Sequence, residues 1–235
     1  MAPLVNGLVA RLPRPGQKAL LALCEPVDLV LGAEVHQPDL PQDHVYFPLA
    51  GYLSLISARA GMPGVEVGMI GPEGMSGAHL ALGVARMPLR VIVQGAGSAL
   101  RLPVAALHHQ LAAMPKLEKV LQRYAGSLLS QFATAAPCMR FHSISPRLAR
   151  WLLMTQDRVG SPRFHATHEF LSYMLGVRRA GVTVAAGALQ QLGAIRYERG
   201  EVTVLDRQRL EQAACSCYEA DRQAFSDAMG DTAAS

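Results

Sequence analysis

Thr167-His168-Glu169-Phe170-Leu171-Ser172-Tyr173-Met174-Leu175-Gly176-Val177-Arg178-Arg179-Ala180-Gly181-Val182-Thr183 is the stretch from which the rest of the chain can be read. Thr167 suits a helix N-cap, and Glu169 stands in the first turn, where the helix dipole favours a negative charge. Phe170, Leu171, Met174 and Leu175 fall on one face of the short helix that follows. Gly176-Val177 supplies a tight turn. A second helix from Arg178 then places Val182, Ala185, Ala186, Leu189 and Leu192 inward and leaves Arg178, Arg179 and Thr183 on the other face. Arg179 and Thr183 are four apart, so they project side by side near the start of that helix. Two helices joined by a glycine turn, the second one presenting arginines, form a helix-turn-helix. In that arrangement an arginine can grip guanine O6 and N7 while its neighbours hold phosphates. Gly181 and Gly187 go against helix propensity by about 1 kcal/mol each relative to alanine.

Downstream, Ile195 and Tyr197 alternate with Arg196 and Glu198, Arg199-Gly200 turns the chain, and Val202 and Val204 alternate back. This is a hairpin wing whose apolar residues pack inward and whose Arg196 and Arg199 are placed to touch phosphates. Between Arg140 and Gly200 stand nine arginines against Asp157, Glu169 and Glu198, a local charge of +6. Such an excess favours a polyanion, nucleic acid first, although a solvated basic surface has the same composition. Upstream, Ser145-Pro146 reads as an N-cap with proline in the first turn. Leu148, Trp151, Leu152 and Thr155 mark the buried face of the helix that ends near Gly160.

The first half of the chain has a different period. From Val45 to Pro103 short apolar alternations are broken by glycine and proline: Tyr52 to Ile56, a turn at Gly61-Met62-Pro63-Gly64, Val65 to Met69, Val91 to Val93, and Ala99 to Leu102. Short strands at this spacing imply a roll or barrel, flanked by helices before residue 25 and over Val104 to Ala113. From Pro115 to about Ala136 the pattern is helical. Leu117, Leu121, Tyr124, Leu128, Gln131, Ala135 and Cys138 step by 4 and 3, a heptad seam that suits pairing with a second copy or packing on the β-domain. Pro137 is expected to kink or end this helix and to serve as a hinge, with Cys138 facing its symmetry mate beside it.

The 235 residues, 50% apolar and 17% charged, allow a buried core and exclude general disorder. The uncharged run from Ala180 to Ile195 is too short to span a membrane, and no signal-peptide pattern stands at the N-terminus. Cys24, Cys138, Cys215 and Cys217 form neither a disulfide framework nor a CxxC pair, which fits a reducing cytoplasm. Cys215 and Cys217 read as buried or free thiols. His36, His44, His79, His108 and His109 leave haem ligation open, but lone histidines are more often surface or core residues than ligands, and the adjacent His108 and His109 point to different helix faces. With no nucleophile–base–acid set or phosphate loop standing out, neither a metal site nor catalytic residues are expected.

The order of β-roll, long helix and winged helix-turn-helix resembles the cyclic-AMP receptor protein/Fnr (Crp/Fnr) superfamily of bacterial transcription regulators. Val45-Tyr46-Phe47-Pro48 with Gly51-Tyr52 and Ser54-Leu55 resembles its early β-roll, and Gly68-Met69-Ile70-Gly71-Pro72-Glu73-Gly74 the approach to its phosphate-binding cassette. Arg147-Leu148-Ala149, Thr167 to Leu171, Gly176 to Arg179, and Gly193-Ala194-Ile195 with Gly200 resemble its DNA-binding domain. The resemblance implies an α+β chain: a β-roll sensor over residues 1–114, a dimerisation helix and hinge over 115–143, and a winged helix-turn-helix over 144–235. It implies a cytoplasmic homodimer that reads a two-fold symmetric operator in double-stranded DNA, with RNA polymerase as a further partner. Thr167, His168, Arg178, Arg179, Thr183, Arg196 and Arg199 are the expected DNA contacts, Arg179 in the base-reading position. The seam would comprise Leu117, Leu121, Tyr124, Leu128, Ala135 and Cys138. Gly71, Gly74, Gly77, Ala78 and Arg90 are the candidate effector-site residues. Cyclic-AMP-binding members carry an acidic residue where Ala78 stands and an arginine followed by small residues near Leu89 or Arg90, here followed by Val91 and Ile92. No cofactor is therefore expected, cyclic AMP included, and the effector is left open. The alternative is a small-molecule- or cyclic-nucleotide-binding module with a vestigial DNA domain.

Overall fold

Two runs of apolar residues, each interrupted by glycine, become the longest strands of the molecule. The computed structural model describes residues 5–58 and 64–230. Strands β1 (Glu25–Leu29), β2 (Glu34–His36), β3 (His44–Ser57), β4 (Val65–Ile70) and β5 (Leu89–Pro103) form one antiparallel sheet in the order β1-β5-β3-β4, with β2 also on β5. The short strands expected at Tyr52–Ile56, Val91–Val93 and Ala99–Leu102 are parts of just two strands, which pair from His44 against Pro103 to Ser57 against Leu89. Their register shifts three times between Pro48 and Leu53. Gly51 there has φ +78°, and a Cβ on Gly97 would lie 2.1 Å from the Ala50 carbonyl oxygen. Bulges and glycines at one place let a continuous ladder bend into a roll, where the sequence suggested breaks. The turn expected at Gly61 to Gly64 falls mostly on residues 59–63, outside the described part.

Helices α1 (Arg14–Leu21) and α2 (Val104–Ala113) flank the roll, and α3 (Pro115–Phe141) follows. Pro137 does not end α3. Both Pro137 and Ala133, whose carbonyl loses its donor, lie on the exposed side, so water can replace the missing hydrogen bond. The expected seam is turned inward. Leu117, Leu121 and Tyr124 are buried with Val45, Phe47, Met75 and Leu102 of the same chain. Leu128 packs on the roll beside Phe132, while Ala135 and Cys138 are buried further along. An amphipathic helix turns its most apolar face to the nearest apolar surface, and here that is the attached β-roll. The outer face of α3 has its own heptad spacing: Lys119, Gln122, Gly126, Leu129, Ala133, Ala136 and Arg140 are exposed, Leu129 at 59%.

The C-terminal part comprises α4 (Ile144–Val159), β6 (Arg163–His165), α5 (His168–Leu175), α6 (Arg179–Gln191), β7 (Ile195–Glu198), β8 (Glu201–Val204), α7 (Arg207–Ala213) and α8 (Cys217–Met229). Ser143, not Ser145, occupies the N-cap of α4. Strands β6, β8 and β7 make a small antiparallel sheet. Helix α8, which the sequence reading did not separate, leaves this unit and returns along α3. Met229 joins the core that holds Leu8, Val9 and Tyr124. Arg123 donates to the carbonyls of Ala228 and Gly230, and Arg11 to that of Met229.

One hydrophobic cluster runs across the junction, joining Tyr52, Ile56, Met69 and Ile92 of the roll to Leu148, Trp151, Leu152 and Met174. Polar groups cross it as well. Trp151 Nε1 donates to Glu66 Oε1 at 2.9 Å, Ser54 donates to Oε2, and Arg158 pairs with Glu73 at 2.9 Å. Burial pushes the Glu66 carboxyl up to about 7, against the pull of its two hydrogen bonds. The native state therefore holds a proton that the unfolded chain releases near its ordinary value of 4.5. Stability contributed by the protonated group is lost as pH rises from about 4.5 to about 7, by up to about 3 kcal/mol, and is level above that. Glu66→Gln should flatten this limb. Urea midpoints for both proteins at about pH 5 and about pH 8 check it, and parallel pH dependences would contradict it.

Candidate nucleic-acid interface

The helix-turn-helix is built from its caps. Thr167 accepts a hydrogen bond from Phe170 N at 3.1 Å, which opens α5, and Gly176 in the left-handed conformation, φ 62°, closes it. The buried Arg147 donates to the Leu175 carbonyl and fixes the end of α5 to α4. Helix α6 buries Val182, Ala185, Ala186 and Leu189 against that frame, as the spacing requires. Leu192 is the exception, 53% exposed just past the end of the helix. A Cβ on Gly181 would lie 2.5 Å from Ile144 Cδ1, whereas Gly187 has open space around it. Gly187→Ala should therefore stabilise the fold by about 1 kcal/mol, and Gly181→Ala by less because Ile144 must move. Thermal unfolding of the two variants checks this, and equal gains would contradict it.

The expected contact residues divide into two groups. His168 stacks on Tyr197, ring centroids 4.4 Å apart, and its Nδ1 lies 3.1 Å from Thr183 Oγ1. Burial, with Arg179 nearby, holds the imidazole below its ordinary pKa. Tyr197 donates from its hydroxyl to the Ala166 carbonyl at 2.7 Å. Thr167 and His168 thus join α5, α6 and the wing to one another. The second group is exposed. Arg178 is the N-cap residue of α6, Arg179 and Thr183 lie on its outer face, and Arg196 and Arg199 lie on the wing. Arg199, φ 50°, and Gly200, φ 84°, form the hairpin turn, whose two positive φ values match the twist of the strands.

The structure sharpens the charge argument. Of the nine arginines between 140 and 200, Arg147 is buried, Arg150 pairs with Asp221, Arg158 with Glu73 and Arg163 with Glu201. Among the described residues, Arg140, Arg178, Arg179, Arg196 and Arg199 have no acidic partner; all five are exposed, Arg140 at the end of α3 and the other four on the helix-turn-helix or its wing. Val184, 75% exposed beside Thr183, went unremarked in the sequence. An exposed β-branched residue on the polar face of a helix is the signal that marks it, and a thymine methyl is its natural apolar partner.

No curated protein sequence matches the chain. FixK2 from Bradyrhizobium japonicum shares its fold with a TM-score of 0.67 at 14% identity, over 82% of this chain and 98% of that one. The c-di-GMP-responsive global regulator CLP of Xanthomonas campestris gives 0.65 at 14% identity, over 82% and 99%. TTHB099, a transcriptional regulator of the CRP family from Thermus thermophilus, gives 0.63 at 18% identity, over 83% and 99%. Residues 146–213 match the family model of the Crp-like helix-turn-helix domain. Over those residues the chain carries a Crp-like helix-turn-helix domain, and its overall fold is the one these regulators share. Its Crp-like domain contains every expected DNA contact from Thr167 to Arg199.

Of the candidate effector residues, Arg90 does not converge with the others. Ser76, in the glycine-rich turn, exchanges hydrogen bonds with Tyr46 at 2.9 Å, whereas Arg90 is in register with Ile56. Ten residues of strand separate these points, up to roughly 30 Å at about 3.3 Å per residue. Arg90 pairs instead with Glu34 on the surface. Ala78 is core, and a Cβ on Gly74 would lie 2.0 Å from the Tyr124 hydroxyl, so ring and turn already fill each other's space. Gly77, φ 79°, packs on Gln42 and Val45, and Gly71 on Arg158 and Glu73. The open space lies elsewhere: a cavity of about 280 Å³ between roll, α3, α4 and α8, lined by Met69, Glu73, Tyr124, Gln131, Arg158 and Phe225 among others.

Among the described residues no helix is long and apolar enough to cross a membrane.

Proposed function

We propose that this chain is a homodimeric transcription regulator whose two α6 helices read the half-sites of a two-fold symmetric operator. The observation that carries this reading is that all four exposed arginines at the turn, on α6 and on the wing lack acidic partners, two of them at the start of the recognition helix of a Crp-like domain. Arg179 specifies a base, Arg178 and Thr183 support it at the groove edge, and Arg196 and Arg199 hold phosphates. Two recognition helices must sit about 34 Å apart to enter successive major grooves. We place the dimer seam on the outer face of α3, from Lys119 through Leu129 to Arg140, because the inner face is already covered by the roll. The Glu66–Trp151 and Glu73–Arg158 pairs couple the roll to the DNA-binding unit, so a signal that alters the cavity beside Arg158 would shift the position of α6.

Selection of bound DNA from a random pool by purified protein, at two salt concentrations, tests this reading. The expected result is enrichment of a two-fold symmetric site. Salt-sensitive binding without an enriched sequence would mean phosphate contacts alone, and the operator reading would fall.

A further inference from the structure

Cys138 and His142 are four residues apart at the end of α3, and Cys215 and Cys217 flank Ser216 where the chain passes from α7 into α8. Seventy-odd residues separate the pairs in sequence, yet one ligand atom from each of the four lies within 4.8 Å of all the others. Cys138 Sγ is 3.6 Å from Cys215 Sγ, and Cys217 Sγ is 3.5 Å from His142 Nδ1. The three thiols are buried and form a small cluster of their own, apart from the hydrophobic cores.

These distances have a chemical meaning. A disulfide needs its sulfurs at about 2.05 Å, and all four cysteines are free. A tetrahedral ion with bonds of about 2.3 Å to sulfur and about 2.05 Å to nitrogen sets its ligands roughly 3.8 Å apart for two sulfurs and roughly 3.6 Å for sulfur and nitrogen. The Cys138–Cys215 and Cys217–His142 separations lie within about 0.2 Å of those edges, and the remaining pairs of ligand atoms all lie within 4.8 Å. A polynuclear iron–sulfur cluster places several atoms between its ligands and needs a wider ring of sulfurs than this. Soft thiolates with one imidazole in a tetrahedral set select zinc-like ions over oxygen-seeking ones. The surroundings supply the outer support such sites use: Arg150 Nη1 lies 3.7 Å from Cys138 Sγ, while its Nη2 donates to Asp221 Oδ2 at 2.6 Å. Three thiolates and one imidazole give a divalent site a net charge of −1, which the Arg150 guanidinium offsets.

We propose that Cys138, His142, Cys215 and Cys217 bind a single divalent transition-metal ion of the zinc class, which clamps the end of the long helix to the start of the C-terminal strap. Four ligands from the protein leave no open position, so the site is structural. It joins the helix that carries the outer heptad face to the segment leaving the helix-turn-helix unit. Local sequence could not show it, because a Cys-x-x-x-His on one helix and a Cys-x-Cys in a distant loop are each too sparse to signal a metal.

The test uses the full-length protein, reduced, stripped by chelator and titrated with Co²⁺ alone in the absence of oxygen. The expected result is the visible absorption of tetrahedral, thiolate-bound cobalt, saturating at one equivalent per chain and displaced by Zn²⁺. Zinc should also protect Cys138, Cys215 and Cys217 from alkylation and leave Cys24 as reactive as before. Cys24→Ser should change none of this, and Cys215→Ser should abolish stoichiometric binding. His142→Ala, at the half-buried helix end, should keep the fold and lose the saturable signal, which covers the case in which Cys215→Ser fails to fold. Octahedral cobalt spectra, no saturable cobalt binding by the reduced and stripped wild-type protein, or binding unaffected by His142→Ala would each overturn the site.

Discussion

Leu129→Glu should leave the chain folded and make it a monomer, with operator affinity reduced by about 10²–10⁴-fold. Leu129 is 59% exposed in the chain and lies midway along the outer heptad face of α3. Nothing in the protomer depends on it, so a glutamate there costs little until a second copy is brought up against it. The two carboxylates would then be buried near the two-fold axis without partners. A monomer engages one half-site and forfeits the effective concentration that links the second recognition event to the first, which is where the large factor arises. Leu121→Glu is the contrasting variant. Leu121 is fully buried against the roll, and a charge there should unfold the protein rather than split it. Sedimentation analysis with far-ultraviolet circular dichroism separates the two outcomes. A Leu129→Glu protein that remains dimeric would place the seam on another surface.

Arg179→Ala should reduce affinity for the selected operator by about 5- to 150-fold, the equivalent of about 1–3 kcal/mol, and relax preference at one base of each half-site. The size follows from removing a bidentate guanidinium from a base edge, and the locality from the single position that one side chain reaches. Arg196→Ala provides the comparison. On the proposed reading Arg196 holds phosphate, so its loss should weaken all sequences alike and lower the salt slope by about 1. Binding measured on the selected site and its single-base variants, at several salt concentrations, distinguishes them. If Arg179→Ala lowers affinity equally on every sequence, base reading belongs to another residue, with Thr183 and Val184 the next on that face.

The two halves of the chain differed in how far they could be read from sequence, for reasons visible in particular residues. The helix-turn-helix was legible because its signals are local. Thr167 caps within three residues, Gly176 needs a left-handed backbone, and Val182, Ala185, Ala186 and Leu189 repeat at helical spacing within one element. Arg199-Gly200 likewise announces its hairpin turn through the positive φ that glycine permits. The roll was legible as β-structure but not as two long strands. A bulge and a strand break both look like glycine in a row of apolar residues, and only the partner strand distinguishes them.

Local chemistry therefore determined from the sequence alone the class of fold, the winged helix-turn-helix with the cap at Thr167 and the turns at Gly176 and Arg199-Gly200, and the identity of the arginines that face solvent from it. The tertiary structure decided everything that depends on which surfaces meet. It turned Leu117, Leu121 and Tyr124 toward the roll and left Leu129 outside, because two heptad faces on one helix compete and the attached surface wins. It separated Arg90 from the glycine turn by the length of a strand and paired it with Glu34. It brought Cys138 and His142 to Cys215 and Cys217, because α8 folds back along α3. Periodicity records what each segment prefers to bury; the identity of the neighbour is a long-range property, set when the packed elements compete for the same core.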